Sequence, residues 1–350
     1  MKRYFLMGVL FLFVSYCAVS QQEDSTKIST KDQQLINKLY NESLDLFAEH
    51  KYSEAIAMIN KAIALNADFA KGYYNRACFH IQLNGIDAAI DDYTKGLAIE
   101  ANPLYYTGRA YAYLVKKEYQ KALDDLALAI GKNENNAEAY YYRGCIYVEQ
   151  DKLTTALNDF NKAIEIRSDY AVAYNERGSL NFLMKDYSAA KNDLTKAVTF
   201  DPAMSSAYNN LGRVAEKNEE FESAIEYYTA ALKIDPDFYI AFNNRGRVKQ
   251  HTGDFKGALE DYSKSVEVNG DYAFTYNNRG NAKYMMGDMS GAIEDFTKAI
   301  ELYADYGEAY LNRGIVKEML RDVKGACRDW KKAVSLGMVK AENYVSDQCD

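Results

Sequence analysis

Two recurring constellations hold most of the chemistry this chain could perform. Arginine stands sixteen residues ahead of aspartate seven times: Arg76 and Asp92, Arg109 and Asp125, Arg143 and Asp159, Arg177 and Asp193, Arg245 and Asp261, Arg279 and Asp295, Arg313 and Asp329. Asparagine recurs every 34 residues at Asn210, Asn244, Asn278 and Asn312, and the residues just before three of these are Asn209, Asn243 and Asn277 at the next turns of the same period. A guanidinium can grip a carboxylate with two parallel hydrogen bonds. An asparagine amide offers one acceptor and two donors, which suits the C=O and N–H groups of an extended peptide. Neither set supplies a nucleophile. The three histidines (His50, His80, His251) and five cysteines are too few and too scattered for a zinc cluster. The serine-elbow, zincin, P-loop and dinucleotide fingerprints are all missing from the sequence. The expectation is a non-enzymatic chain that needs no metal and no cofactor. The alternative is an enzyme with a repeat-built site, which would need a nucleophile–base or paired-acid set; His251 beside Arg247 is the one histidine placed near the candidate binding residues.

Composition agrees. The chain has 350 residues, 42 Lys and Arg against 50 Asp and Glu, and a net charge of −8. Phosphate contacts need a basic surface, so no nucleic-acid partner is expected. Only 3 prolines interrupt a sequence that is 48% hydrophobic, which favours long helices and leaves ample material for a core.

The residues are positioned by an internal period of 34. Nine units cover 36–340: 36–69, 70–102, 103–136, 137–170, 171–204, 205–238, 239–272, 273–306 and 307–340. Within a unit, position 20 is always alanine, from Ala55 to Ala326, and position 8 is always small. Position 4 is Tyr or Phe in all units but the first, which has Leu39, and position 24 is always large. Positions 4, 8 and 11 share one face of a first helix; 20, 24 and 27 share one face of a second. Small residues let the helices approach, and turn signals such as Gly253-Asp254 and Gly287-Asp288 separate them. Arg at position 7 and Asp at position 23 are mirror-related about that turn, so antiparallel helices set them opposite each other. The two units without the pair lose both members together: Glu42 with Met58, and Leu211 with Tyr227. The seven pairs are therefore expected to be structural ion pairs.

The pattern resembles the tetratricopeptide repeat (TPR) family in its aromatic at 4, small residue at 8, Ala at 20, large residue at 24 and small residue at 27. Proline at position 32 appears only as Pro202 and Pro236, and Arg replaces the family's usual Leu at 7. The resemblance implies an all-α fold, a right-handed superhelical solenoid of antiparallel helix pairs, with a protein- or peptide-binding groove lined by the first helices. It also implies that the asparagine row, read as peptide-binding, lies along that groove. Arg213 and Arg247, at position 9 of the sixth and seventh units, join the candidate peptide-binding set. The lysines of a carboxylate clamp are missing from positions 2 and 5 of those units, so no such clamp is assigned. Tyr74, Tyr111, Tyr141 and Tyr142 are candidate aromatic anchors on the same face.

The ends carry separate signals. Residues 1–20 open with Lys2 and Arg3, run apolar from Tyr4 to Val14 and close on Ala18-Val19-Ser20, the layout of a secretory signal peptide. A short membrane anchor is the first alternative; lipidation at Cys17 is the second, disfavoured by Tyr16 before it. Residues 21–35 read as a polar linker. Cleavage after Ser20 gives a mature chain of 40 − 50 = −10, periplasmic or secreted, without a membrane span and with a protein or peptide partner. An assembly factor for outer-membrane or secretion machinery is a special case of this scaffold reading. At the other end, 341–350 is expected to form a helix capping the last unit. Cys327 lies ten residues before Gly337 and Cys349 twelve after it, which on antiparallel helices is about 15–18 Å from the turn in both directions. A Cys327–Cys349 disulfide is expected, with Cys78 and Cys145 too far apart to bond.

Overall fold

The computed structural model describes residues 29–349, which form helices and turns only. The expected signal peptide, Cys17 and the first part of the expected linker lie outside the described residues. The chain divides after Met184 into two compact parts. The N-terminal part holds α1 (Thr30–Ala48), α2 (Tyr52–Leu65), α3 (Ala70–Gln82), α4 (Ile86–Ile99), α5 (Pro103–Val115), α6 (Tyr119–Lys132), α7 (Ala137–Glu149), α8 (Leu153–Ile166) and α9 (Ala171–Leu183). The C-terminal part holds α10 (Tyr187–Phe200), α11 (Ser205–Lys217), α12 (Phe221–Ile234), α13 (Tyr239–His251), α14 (Phe255–Val268), α15 (Ala273–Met285), α16 (Met289–Leu302), α17 (Gly307–Met319), α18 (Val323–Ser335) and α19 (Lys340–Gln348). Each part is an all-α solenoid in which the first helix of a repeat packs against its second, and the second against the next first.

The core follows the 34-residue period. The alanines at position 20 and the large residues at position 24, from Ile59 through Tyr93, Phe160 and Tyr262 to Trp330, are all fully buried. The two sets fit because position 8 is small. A Cβ on Gly246 would lie 2.8 Å from the Tyr262 ring, and one on Gly212 2.6 Å from the Tyr228 ring, closer than side-chain carbons pack.

The turn inside every repeat turns left-handed at position 15, where His50, Asn84, Lys117, Asp151, Lys185, Glu219 and Arg321 have φ between 58° and 66°. Only Gly253 and Gly287 meet that conformation with the residue that bears it without strain. One residue later, Asp186, Asp254, Asp288 and Asp322 accept a hydrogen bond from a first-turn amide of the second helix, at about 2.9–3.0 Å.

The boundaries differ from the sequence expectation at both ends. Residues 30–35, expected to be linker, are already helix. Ser29 caps α1 by accepting from the Asp32 amide at 3.1 Å, while its hydroxyl donates to the Asp32 carboxylate at 2.7 Å. The Ser-x-x-Asp spacing is an N-terminal capping signal that polarity alone hides. At the C-terminus, α19 runs from Lys340 to Gln348 and lies on α18, with Tyr344 stacked on Trp330 at 4.9 Å. A disulfide joins Cys327 of α18 to Cys349, with the two Cα atoms 5.5 Å apart. Cys78 and Cys145 are free and buried.

Candidate functional site

Arg and Asp meet within six repeats. Arg76, Arg109, Arg143, Arg245, Arg279 and Arg313 each send Nε and Nη2 to the two carboxylate oxygens of Asp92, Asp125, Asp159, Asp261, Asp295 and Asp329, at 2.6–2.9 Å. The aspartates are buried, and the hydrogen bond to Asp holds the Arg76, Arg109, Arg143 and Arg279 guanidiniums above their ordinary range. The seventh pair divides between the two parts, Arg177 in the first and Asp193 in the second.

Three features of this network were not apparent from the sequence. The guanidinium also lies over the ring at position 4, three residues earlier on the same helix, as Arg143 does over Tyr140 at 5.2 Å and Arg279 over Tyr276 at 5.3 Å. Its remaining nitrogen reaches position 25 of the preceding repeat: Arg76 to Asn60 at 2.6 Å, Arg109 to Thr94 at 3.0 Å, Arg245 to Thr229 at 2.9 Å and Arg313 to Thr297 at 3.0 Å. Near the C-terminus a lysine at position 11 joins the same aspartate, Lys249 to Asp261, Lys283 to Asp295 and Lys317 to Asp329, at 2.7–2.9 Å. The arginine thus ties together two helices of its own repeat and the repeat before it, which is a structural task.

The asparagines form a ladder between repeats. Asn244 donates to Asn209, Asn278 to Asn243 and Asn312 to Asn277, each from position 6 to position 5 of the preceding repeat at 2.9–3.0 Å. Asn75 does the same to the Tyr40 hydroxyl at 2.8 Å. Asn209, Asn243 and Asn277 are buried, as is Asn244, whereas Asn210, Asn278 and Asn312 are half-buried. Position 5 therefore faces the neighbouring helix and not a ligand, a correction to the expectation that both rows line a groove. The spacing from position 6 back to position 5 of the preceding repeat, 35 residues, was the available signal.

Arg247 binds Glu216 with two hydrogen bonds, 2.9 Å from Nε and 2.6 Å from Nη2, and Glu216 also accepts from the Tyr228 hydroxyl at 3.2 Å. Arg213 donates to Asn210 at 3.2 Å, and burial lowers its guanidinium from the ordinary value. The expected basic pair is thus one half-buried arginine beside one whose charge a carboxylate matches. Tyr74, Tyr111, Tyr141 and Tyr142 are all buried, Tyr111 against Tyr142 with ring centroids 5.3 Å apart, so they belong to the packing of the N-terminal part and do not stand open as anchors. His251 is exposed and packs its ring on Phe221 at 4.6 Å. In the C-terminal part the first helices touch one another in series, α11 to α13 to α15 to α17, so they share one face. Among the described residues no group of His, Cys, Asp and Glu could hold a metal ion, and no helix is long and apolar enough to cross a membrane.

Tetratricopeptide repeat models match residues 205–238 and 273–306, a second such model matches 70–103 and 171–204, and a TPR repeat model matches 144–185. The spans 205–238, 273–306 and 70–103 coincide with the helix pairs α11–α12, α15–α16 and α3–α4. The chain is an array of tetratricopeptide repeats. Among curated proteins this TPR chain is similar to an Hsp70-Hsp90 organizing protein of Triticum aestivum, 30% identical over 110 residues, which is 31% of this chain and 19% of that one. It is also similar to a 58 kDa phosphoprotein of Plasmodium berghei, 32% identical over 112 residues, 31% of this chain and 26% of that one. The similarity spans about a quarter or less of those relatives. Among solved structures, the Cut9-Hcn1 hetero-tetramer of APC/C matches with a TM-score of 0.62 at 12% identity, over 94% of this chain and 79% of that one, a likeness of fold.

Proposed function

We propose that this TPR array is a non-enzymatic scaffold that binds an extended segment of a partner protein on the shared face of α11, α13, α15 and α17. The observation that carries the reading is the asparagine ladder. Asn278 and Asn312 spend one N–H on the preceding repeat and stay half-exposed, leaving the carbonyl oxygen and a second N–H for a ligand. Amides fixed in this way bind without losing rotamer freedom, which favours a backbone-reading, sequence-tolerant site. The relative named Hsp70-Hsp90 organizing protein supports protein binding as the class of activity. The signal-peptide pattern supports export to the bacterial envelope or the secreted space, where the Cys327–Cys349 disulfide is stable.

The cleanest test is Asn278→Ala. Asn243, its partner, still accepts from Thr275 at 3.3 Å, so the substitution strands no buried acceptor. Loss of two hydrogen bonds to a ligand should weaken partner binding about 5- to 30-fold with little change in melting. Unchanged affinity would remove the asparagine face from the binding site.

A further inference from the structure

The turns leading into α13, α15 and α17 carry a continuous strip of rings. Tyr239 meets Tyr272 at 5.2 Å between centroids, Tyr272 meets Phe274 at 5.3 Å, Phe274 meets Tyr306 at 5.1 Å and Tyr306 meets Tyr303 at 5.9 Å. Phe274 is 41% exposed and Tyr303 47%. The same turns carry acids with no base: 235–242 reads DPDFYIAF, 269–276 NGDYAFTY and 303–310 YADYGEAY. Asp271, Asp305 and Glu308 are exposed, and Glu308 lies close enough to act on the Tyr306 phenol. Arg213 acts on Tyr272 from the α11 side, and among the described residues no cation lies over Phe274, Tyr303 or Tyr306.

The fourth repeat shows what such an edge holds. Its position 34 is Tyr170, its position 31 is Arg167 and its position 2 is Glu138. The Arg167 guanidinium lies 4.2 Å from the centre of the Tyr170 ring and pairs with Glu138. In the eighth repeat the same three positions are Tyr306, Tyr303 and Phe274: the ring at 34 stays, and the internal cation is gone. Carboxylates remain beside it. A helix N-terminus contributes only about half a positive charge, less than the two carboxylates, Asp305 and Glu308, at the start of α17, so the strip is net negative.

We propose that this strip docks a second kind of partner segment, an extended stretch bearing arginine or lysine. Its cations stack on the exposed Phe274 and Tyr303, since the Tyr306 ring at position 34 is itself buried, and face Asp271, Asp305 and Glu308; the fourth repeat uses the same two kinds of group, a ring and a carboxylate, to hold Arg167. The strip borders the asparagine ladder, with Asn277 acting on Tyr306 and Arg213 on Tyr272, but its exposed rings and acids lie at the turns, and the proposal stands whether or not the asparagine face binds a ligand.

The test uses the full mature chain and a fluorescent nine-residue peptide alternating arginine and serine, with a twin in which neutral citrulline replaces arginine. Anisotropy reads the binding. The arginine peptide should bind, and its twin should bind at least about tenfold more weakly. A variant with Asp271→Asn, Asp305→Asn and Glu308→Gln should lose about fivefold or more. Its charge-matched control, Glu222→Gln, Glu260→Gln and Glu294→Gln at exposed positions elsewhere, should lose less than about twofold. Phe274→Leu with Tyr303→Leu keeps apolar surface and should cost about threefold through the lost stacking. Equal losses in the edge and control variants would show diffuse attraction to an acidic protein and overturn the proposal, as would no binding or an unchanged affinity in the ring variant. Asn278→Ala should leave this peptide's affinity intact; a loss there would place the peptide on the asparagine face and overturn the strip.

Discussion

Arg143 and Arg245 occupy the same position in two repeats, yet their removal should have unequal effects. Arg143 is the sole charged partner of the buried Asp159 among the described residues. Asp261 in the seventh repeat is held by Arg245 and also by Lys249 at 2.9 Å. Stranding a buried carboxylate costs about 3–5 kcal/mol, so Arg143→Leu should lose about that much. Arg245→Leu leaves Lys249 in place, and a hydrogen bond to a charged group retains about 1.5–3 kcal/mol, so its loss should be about 1–3 kcal/mol. The sixth repeat shows how both charges can be dispensed with, since Leu211 and Tyr227 stand where Arg and Asp stand elsewhere. The double variant Arg245→Leu, Asp261→Tyr should therefore be more stable than either single variant, with a coupling of about 2 kcal/mol. Repeat arrays do not unfold as one unit, so the assay is amide hydrogen exchange in urea, read on peptides of α13 and α14 for one pair and α7 and α8 for the other. Additivity within about 0.5 kcal/mol, or an Arg143→Leu variant no worse than Arg245→Leu, would refute the reasoning.

Other expectations follow from single features. Lys117 has φ 60° and an exposed side chain, so Lys117→Gly should raise stability by about 0.5–1 kcal/mol in chemical denaturation, against the usual cost of a new glycine. Glu176 is buried with Asn175 as its hydrogen-bond donor, and burial pushes its carboxyl up to about 8. The folded protein then holds a proton that the unfolded chain releases near 4.5, so this group's contribution to stability is fully present below about pH 4.5 and is lost as pH rises to about 8. Glu176→Gln should flatten that decline in melting temperature between pH 5 and 8, and an equal slope in both proteins would place the titration elsewhere. Intact mass of the exported, unreduced protein should show a chain starting at Gln21 with two titratable thiols, Cys78 and Cys145; four thiols, or a lipid on Cys17, would contradict the reading of both ends.

The period of 34 made the fold legible because repeated packing leaves repeated residues: Ala at 20, a large residue at 24 and a small one at 8 must coexist wherever two helices approach closely. The Arg–Asp pairs were legible for the same reason, since two charges facing each other in a core must appear and vanish together. The candidate binding face was less legible. Asparagine at positions 5 and 6 has the same hydrogen-bonding capacity whether it faces a ligand or the next repeat, and residue type alone does not distinguish the two. Glu216, which matches the charge of Arg247, lies 31 residues earlier in the chain on the preceding repeat, so the pattern within one repeat does not show the pair. The capping spacing at Ser29 and Asp32 was in plain view but sat in a stretch whose polarity suggested a linker.

The most direct test of the central claim places a photo-crosslinking residue at one position at a time in the protein expressed in its own cells and maps adducts by mass spectrometry. Asn281 on α15 represents the asparagine face, and Glu294 on α16 represents the exposed surface of the second helices. The account predicts a discrete protein adduct from Asn281 that disappears with Asn278→Ala, and none from Glu294. Adducts from Glu294 alone, or from neither position, would contradict it.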